Sequence, residues 1–320
     1  MQSSAIPPHS DIRQSLFSRG VKIEAANLVR LRELASQLPL RQQKRVLNDL
    51  AGTHTSPMRG RGIDFSEVRQ YQPGDDIRAM DWRVTARTGE PHIKLFREER
   101  ERPVMVVCDL RANMQFATRT ALKSVLAADI AALLSWSALA NGDRIGALLF
   151  NDLEELDLRP KTGRKQVLQL LHALAEVPRS APQPGPARMQ QICRHLRRVV
   201  RPGSALFFIS DWYGFDDECE RQLFAVSRHS ELTAIRLYDP MEAELPAAGL
   251  LTLTDGQQRA VLDGFSSRVR QAHQQAFSDQ QQALEQHMQR LKVPLISVAT
   301  NDDAIARLRQ GFGFGFSSGS

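Results

Sequence analysis

Cysteine is scarce in this 320-residue chain, and its scarcity limits the kinds of site that the chain can build. The three cysteines, Cys108, Cys193 and Cys219, lie far apart in the sequence. A disulfide framework usually needs an even, regularly spaced set of cysteines, and a structural zinc site needs cysteines or histidines at short intervals. We therefore expect reduced thiols and a cytoplasmic protein, with no disulfide framework and no zinc site.

Other familiar signals are also missing. No apolar run approaches the roughly 18–20 residues of a membrane-spanning helix, and residues 1–20 have no apolar core of the kind that a signal peptide carries. The chain has no Walker phosphate-binding loop and no glycine-rich dinucleotide motif after a strand. None of the eight histidines stands beside a serine or cysteine in an elbow-like motif. We therefore expect no direct membrane span, no nucleotide site of these two kinds and no nucleophilic triad.

The positive charge that is present is concentrated in the first third of the chain. Residues 1–103 hold 18 basic against 13 acidic side chains, whereas the whole chain has a net charge of +6. A basic region can face nucleic acid, an anionic membrane or an acidic protein. Because acidic residues alternate with the basic ones here, we interpret the region as a mixed solvated surface and expect no nucleic-acid partner.

Composition and periodicity divide the chain into five segments. We expect a flexible lead-in over residues 1–20, an N-terminal helical segment over 21–52, a small β-rich subdomain over 53–102, an α/β domain over 103–310 and a disordered tail over 311–320. From residue 103 onward, short apolar runs alternate with amphipathic helical patterns. This alternation is typical of an α/β fold with a mostly parallel sheet flanked by helices.

Two carboxylates follow apolar strands of that sheet. Asp109 ends the apolar run that begins at residue 104, and Asp211 follows the run at 205–210. The carboxyl ends of parallel strands meet at one edge of a sheet, where ligands bind. Asn113 and Thr162 carry oxygen atoms in loops assigned to the same edge, so that the four residues could hold Mg²⁺. Equally, Asp109 and Asp211 could cap the helices that follow them.

A second dense stretch lies between residues 69 and 87. It interleaves acids, arginines and aromatic side chains: Arg69, Tyr71, Gly74, Asp75, Asp76, Arg78, Asp81, Trp82 and Arg87. Paired arginines and carboxylates could hold such a loop in one shape. Alternatively, the arginines and the tryptophan could anchor a partner protein, as such residues do at interface hot spots. Catalysis by the carboxylates is the third alternative, and the cation close to each in sequence argues against it.

These residues carry a resemblance to a known family. The pattern consists of Gly62, Asp64, Phe65, Arg69, Tyr71, residues 73–76, Arg78, Asp81, Trp82, Ala86 and Arg87, followed by Glu98, Glu99, Asp109, Gly142, Asp143, Gly146, Ser210, Asp211, Asp239 and Pro240. It resembles the signature of the bacterial domain-of-unknown-function family 58, from about residue 20 to residue 310. The resemblance implies a fold similar to the von Willebrand factor A domain. It also implies a working association with a MoxR-type AAA+ ATPase.

The chain departs from the von Willebrand pattern at the metal site. That pattern reads Asp-x-Ser-x-Ser, with a threonine and an aspartate on other loops, and Asp109 matches its first position. Arg111 and Asn113 replace the two serines, while Thr162 and Asp211 could fill the remaining positions. A guanidinium beside a bound cation is unfavourable because like charges repel. Two alternatives follow: a degenerate Mg²⁺ site, or an Arg111 side chain that takes the place of the metal.

The resemblance implies a non-enzymatic role. We expect an adaptor or chaperone-like partner of a MoxR-type AAA+ ATPase, acting in protein complex assembly, maturation or stress response. Membrane-bound von Willebrand A proteins of the same operon are further expected partners, which would place the chain beside the inner membrane. The alternative is a divalent-metal-dependent hydrolase that uses Asp109 and Asp211, with Asp75 or Asp76 as further candidates.

Overall fold

The chain divides into two units. The larger comprises Met1–Leu47 and Arg102–Ser320, and the smaller comprises Asn48–Glu101. The computed structural model describes residues 17–38, 40, 63–72, 77, 80–98, 101–178, 187–254 and 259–313. Most of the predicted lead-in, the second part of the predicted N-terminal helical segment and the tail beyond residue 313 therefore lie outside the described residues.

The described residues form nine α-helices and ten strands. The helices are α1 (Ala25–Arg30), α2 (Trp82–Thr88), α3 (Lys123–Ala140), α4 (Arg164–Glu176), α5 (Ala187–Val199), α6 (Asp217–Ser227), α7 (Pro240–Ala243), α8 (Ser267–Leu291) and α9 (Ala304–Gly311). The strands are β1 (Ile63–Gln70), β2 (His92–Glu98), β3 (Pro103–Asp109), β4 (Arg144–Phe150), β5 (Glu155–Lys161), β6 (Ala205–Ser210), β7 (Glu231–Tyr238), β8 (Leu250–Thr254), β9 (Arg259–Asp263) and β10 (Leu295–Ala299).

A six-stranded sheet forms the centre of the larger unit, in the order β10-β7-β6-β3-β4-β5. All neighbouring pairs are parallel except β4 with β5, which form an antiparallel hairpin. Counted in chain order within this sheet, the strands follow the doubly wound order 3-2-1-4-5-6. The strand order reverses between β3 and β6, and these two strands lie side by side at the centre of the sheet. The predicted mixed α/β fold with a mostly parallel central sheet is confirmed.

Helices cover both faces of this sheet because its central strands are apolar on both sides. All six residues of β6 are buried, as are six of the seven in β3 and six of the seven in β4. Helices α3, α4 and α9 pack on one face, together with Val106 of β3. Helices α5, α6 and α8 pack on the other, together with Val107. Successive residues of a strand point to opposite faces, which is why neighbours in β3 join different cores.

The N-terminal segment packs on α3. Helix α1 continues into a 3₁₀-helix over Leu31–Gln37, and both lie within the N-terminal segment that the sequence predicts to be helical. The indole N–H of Trp136 donates to the Leu28 carbonyl oxygen at 3.0 Å. Ser18 donates to Asp129 through its backbone N–H at 2.7 Å and its hydroxyl at 2.8 Å. The segment is therefore fixed by buried polar contacts as well as by its leucines.

The smaller unit contains one antiparallel pair, β1 with β2, and the short helix α2. The register of the pair shifts between Phe65 and Glu67, which marks a β-bulge. Asp81 begins α2 by accepting the backbone N–H groups of Arg83 and Val84. Its carboxylate satisfies two of the donors that a helix start leaves unpaired.

Helix α3 has the length and composition of a membrane span, which differs from the prediction that no apolar run is long enough for one. It has 18 residues, and 89% of the helix is buried inside the protein. A helix enclosed in this way is apolar nearly all round because it packs against other elements on most sides. The expected cytoplasmic location remains a prediction.

Candidate functional site

The site lies where β3 and β6 end side by side. Cys108 of β3 pairs with Ile209 of β6, so Asp109 and Ser210 stand next to each other at the carboxyl edge. Asp211 comes directly after β6. This edge is also the point at which the strand order reverses, which is where open α/β sheets form a crevice for ligands. The topology therefore brings the two predicted carboxylates to one place.

Asp109 is fully buried and is held by Arg111. The guanidinium Nε donates to both carboxylate oxygens, at 3.0 and 3.1 Å, and Nη2 donates to Oδ2 at 2.7 Å. The backbone N–H of Arg111 adds a fourth contact at 3.0 Å, and the Ser210 hydroxyl donates to Oδ2 at 2.6 Å. Arg111 itself is only 2% exposed. Two buried opposite charges thus satisfy each other through a nearly bidentate contact.

Asp211 is held by a second buried cation. The Nζ atom of Lys123 lies 3.0 Å from Asp211 Oδ2 and 2.6 Å from Glu242 Oε1. The Asn113 side-chain amide nitrogen lies 2.6 Å from both oxygens of Asp211, and the Tyr213 backbone N–H donates at 3.0 Å. Lys123 is 1% exposed, so its charge depends on these two acids. The two pairs meet, because Arg111 Nη2 lies 3.9 Å from Asp211 Oδ1.

Local sequence positions each of these side chains. Arg111 precedes a short 3₁₀ turn over Ala112–Met114, whose first amide is fixed by Asp152 at 2.7 Å. Lys123 is the first residue of α3. Glu242 belongs to a capping box that Asp239 forms at the start of α7. Such a box exchanges side-chain and backbone hydrogen bonds, which fixes where the glutamate sits.

The pKa values follow from this arrangement. Burial alone would raise the pKa of Asp211, but the charges of Lys123 and Arg111 outweigh it and lower that pKa. Burial alone would lower the pKa of Lys123, and the attraction of Asp211 and Glu242 raises it instead. Burial also opposes the charge of Arg111, and Asp109 raises its pKa above the ordinary value. All three groups are therefore charged near neutral pH.

A divalent cation does not fit between these carboxylates as they stand. A carboxylate offers about four lone-pair positions, and both oxygens of Asp109 already accept hydrogen bonds from Arg111. Both oxygens of Asp211 accept from Asn113, and one also accepts from Lys123. A Mg²⁺ ion would have to displace two buried cations, since it would otherwise lie beside them. Of the two alternatives, the geometry favours an arginine in the place of a metal.

Thr162 does not belong to this edge, which corrects one of the sequence assignments. Strand β5 runs antiparallel to β4, with Glu155 opposite Phe150 and Lys161 opposite Ile145. Thr162 follows Lys161 and is therefore at the end of the sheet where β4 begins. Asp109 pairs with Phe150, where β4 ends. At about 3.3 Å per residue, the two positions are separated by roughly the length of the strand.

The predicted signature stretch is only partly described. Gly74, Asp75, Asp76 and Arg78 lie outside the described residues. Among the described members, Tyr71 donates its backbone N–H to the Pro91 carbonyl oxygen at 2.8 Å. The guanidinium Nη1 of Arg69 donates to the Gln70 carbonyl oxygen at 3.0 Å.

Two further members of that stretch lie in helix α2. Trp82 is 68% exposed, and Arg87 lies in the last turn of α2. Neither the ion-pair alternative nor the docking alternative for the stretch is decided by these positions.

Sequence reasoning missed Lys123 and Glu242. Lys123 stands at the head of an apolar helix, where a lysine usually indicates a solvent-exposed helix end rather than a buried ion pair. Glu242 had a clearer signal, because Asp239-Pro240-Met241-Glu242 reads as a capping box after a strand. A search for acids fixed near the strand ends would have found it.

Comparisons with known proteins give one family model and several similar proteins. The model of the family described as "Protein of unknown function DUF58" matches residues 67–283. Uncharacterized proteins of Mycobacterium tuberculosis (Rv1480) and Mycobacterium bovis (Mb1516) are each 31% identical over 258 residues, covering 80% of this chain and 81% of theirs.

Two solved structures are also similar, both from Bacteroides. The conserved hypothetical protein BatB from Bacteroides thetaiotaomicron is 13% identical, with a TM-score of 0.40 over 66% of this chain and 97% of its own. An aerotolerance-related membrane protein from Bacteroides fragilis is 14% identical, with a TM-score of 0.40 over 66% of this chain and 98% of its own. On its sequence, the chain belongs to the DUF58 family.

Proposed function

We propose that the chain is a non-enzymatic adaptor, a chaperone-like partner of a MoxR-type AAA+ ATPase in protein complex assembly, maturation or stress response. The choice of partner rests on the sequence resemblance described above. We also propose that the larger unit is a von Willebrand factor A-like domain. In support, its sheet carries Asp109 at the end of a central strand, at the point where the strand order reverses.

One observation supports a binding role over a catalytic one. The carboxylates at the carboxyl edge, where an α/β enzyme would hold its reactive groups, are bound by Arg111 and Lys123 of the same chain. A general base or a metal ligand needs a lone pair that can reach a substrate or an ion. Here the lone pairs of Asp109 are directed at buried donors, so they are occupied by groups of the same chain.

The hydrolase alternative has less support. It would use Asp109 and Asp211 to bind a divalent metal, and each of them contacts a buried cation at 3.0 Å or less. Bound metal would leave Arg111 or Lys123 without its partner, and an unpaired buried charge is costly. We do not propose this activity.

The proposed partners determine where in the cell we expect the chain to be. We propose a cytoplasmic protein that reaches the inner membrane only through membrane-bound von Willebrand A proteins of the same operon. Fractionation of cells would test this: the chain should be soluble when those partners are deleted and partly membrane-associated when they are present.

Co-purification tests the central proposal. The tagged full chain is mixed with a MoxR-type ATPase from the same organism, in ATP, in ADP and without nucleotide. We expect a stable complex in at least one nucleotide state. No complex in any of the three conditions would refute the partnership.

Matched variants would locate the contact. Tyr213 is 55% exposed beside Asp211 at the carboxyl edge, and Phe224 is 52% exposed on α6. Tyr213→Ala should weaken the complex if the carboxyl edge docks the ATPase, whereas Phe224→Ala removes a similar exposed aromatic ring elsewhere and should not. Equal effects would move the contact away from the edge.

A further inference from the structure

A cavity of about 450 Å³ opens beside the carboxyl edge of β6 and β7, under helix α8. Its volume is within the roughly 300–1,000 Å³ range of small-ligand sites. The Lys123 pair forms one end of it, and aromatic side chains from β7 and α8 form another part of its wall. The lining residues used below are Lys123, Asp211, Arg236, Tyr238, Glu242 and Phe277.

Arg236 lines this cavity without an acidic partner. It lies on β7 and is 5% exposed. Its guanidinium carbon stands 4.7 Å from the ring centre of Phe277 and 5.9 Å from that of Tyr238. Within the part of the chain that the structure describes, the guanidinium makes no hydrogen bond and no ion pair. Burial lowers the pKa of Arg236 from its ordinary value, and the more distant charges of Glu242 and Asp211 offset only part of that effect.

The other basic side chains that line the cavity already have partners. Lys123 contacts both Asp211 and Glu242, and His287 pairs with Glu220. The Nε2 atom of His273 lies 3.0 Å from the Met241 carbonyl oxygen. Arg236 therefore differs from each of them, and buried arginines are normally paired.

We propose that this cavity binds a carboxylate, with Arg236 as its bidentate donor. The planar guanidinium matches the two oxygens of a carboxylate, and Arg236 lines the cavity in which such a group would bind. A carboxylate fits better than a phosphate dianion because Asp211 and Glu242 line the same space and repel additional negative charge. The rings of Phe277 and Tyr238 offer an apolar wall to the stem that carries the group.

The carboxylate could come from a free small acid or from an acidic side chain of a protein. The chemistry at Arg236 is the same in both cases, and it goes beyond the proposed adaptor role without depending on it. The test below contains no ATPase, so it can fail while the partnership holds.

Calorimetric titration of the full chain tests the site with three matched probes: phenylacetate, its neutral analogue phenylacetamide and the dianion phenylphosphonate. We expect saturable binding of phenylacetate and at least tenfold weaker binding of the other two. Equal affinity for the acid and the amide would overturn the proposal, and so would no saturation by phenylacetate. A capped tripeptide with one central glutamate forms a fourth titration: tighter binding than phenylacetate assigns the site to protein side chains, and weaker binding assigns it to small acids.

Variants of Arg236 connect the binding to the guanidinium. Arg236→Gln removes the charge and should weaken phenylacetate binding about tenfold or more, the usual range for a charge-assisted hydrogen bond. Arg236→Lys keeps the positive charge but loses the two parallel N–H donors of the guanidinium, so it should bind phenylacetate at an intermediate affinity. Arg228→Gln removes an exposed arginine from the end of α6 and should bind as the wild type does.

The folding of each variant is checked by circular dichroism before titration. If Arg236→Gln does not fold, Arg236→Lys serves as the test. Wild-type affinity in whichever variant folds would overturn the assignment of Arg236.

Discussion

The pairing of Asp109 with Arg111 leads to a quantitative prediction about stability. The two side chains are 0% and 3% exposed and share a contact of 2.7 Å. Replacing one member of a buried pair leaves the other charge without compensation, which costs about 3–5 kcal/mol. We expect a loss of this size for Arg111→Met and for Asp109→Asn separately. Such a loss corresponds to a fall in melting temperature on the order of 10 °C.

The double variant, which carries both substitutions, should lose much less than the two single losses added together. With both charges gone, neither position holds an uncompensated buried ion, which is the main cost in each single variant. We therefore expect a coupling energy of about 3 kcal/mol in a double-mutant cycle, measured by urea unfolding. Ser210 and the backbone N–H of residue 111 remain as donors to position 109 in all variants.

A second ion pair of similar length provides the control. Arg102 contacts Glu231 at 2.7 Å, but the side chains are 13% and 42% exposed. Exposed pairs contribute about 0–1 kcal/mol, so the same cycle on Arg102 and Glu231 should give a coupling within that range. Additive single losses at Asp109 and Arg111, or equal coupling in the two cycles, would refute the reasoning about the buried pair.

Three further predictions concern other parts of the larger unit. Burial raises the pKa of Asp129 to about 7, so between about pH 4 and 7 the folded chain holds a proton that the unfolded chain has released. This proton adds about 2–3 kcal/mol to the free energy of unfolding at pH 5, and the added stability is lost by pH 8. Urea unfolding at the two pH values should show this loss in the wild type but not in Asp129→Asn. A β-carbon at Gly146 would lie 2.6 Å from the Leu158 carbonyl oxygen, so Gly146→Ala should reduce the free energy of unfolding by about 1–3 kcal/mol, and an unchanged urea midpoint would contradict this. Burial raises the thiol pKa of Cys108 and Cys193, and all three cysteines are buried, so a thiol reagent such as Ellman's should react with the chain only after denaturation.

Much of the larger unit's architecture could be predicted from sequence because its apolar runs are short, regular and separated by helical patterns. The strand that ends at Asp109 and the strand before Asp211 were both recognised from apolar runs, and parallel topology then placed their ends together. The direction of β5 was not recognised. A two-to-four-residue connection permits a hairpin, but the apolar pattern of a strand does not indicate its direction. Thr162 was misplaced for that reason.

The candidate site was predicted in its acids but not in its cations. Arg111 was noticed because it occupies a position where the family resemblance leads one to expect serine. Lys123 and Arg236 carry no such signal, since one begins an apolar helix and the other interrupts an apolar strand. Lys123 contacts Asp211 and Glu242, which are 88 and 119 positions away in the sequence. Arg236 contacts the ring of Phe277 on another element. Contacts between distant residues of this kind are not visible in a local pattern.

Magnesium titration of the wild type and of Arg111→Ser tests most directly whether the chain's own cation takes the place of a metal. The substitution removes the guanidinium from Asp109 and restores a hydroxyl oxygen of the kind that Mg²⁺ accepts as a ligand. We predict no saturable heat of Mg²⁺ binding for the wild type, and measurable binding with a rise in melting temperature for Arg111→Ser. Saturable Mg²⁺ binding by the wild type that Asp109→Ala abolishes would contradict the account, as would no gain of binding in Arg111→Ser.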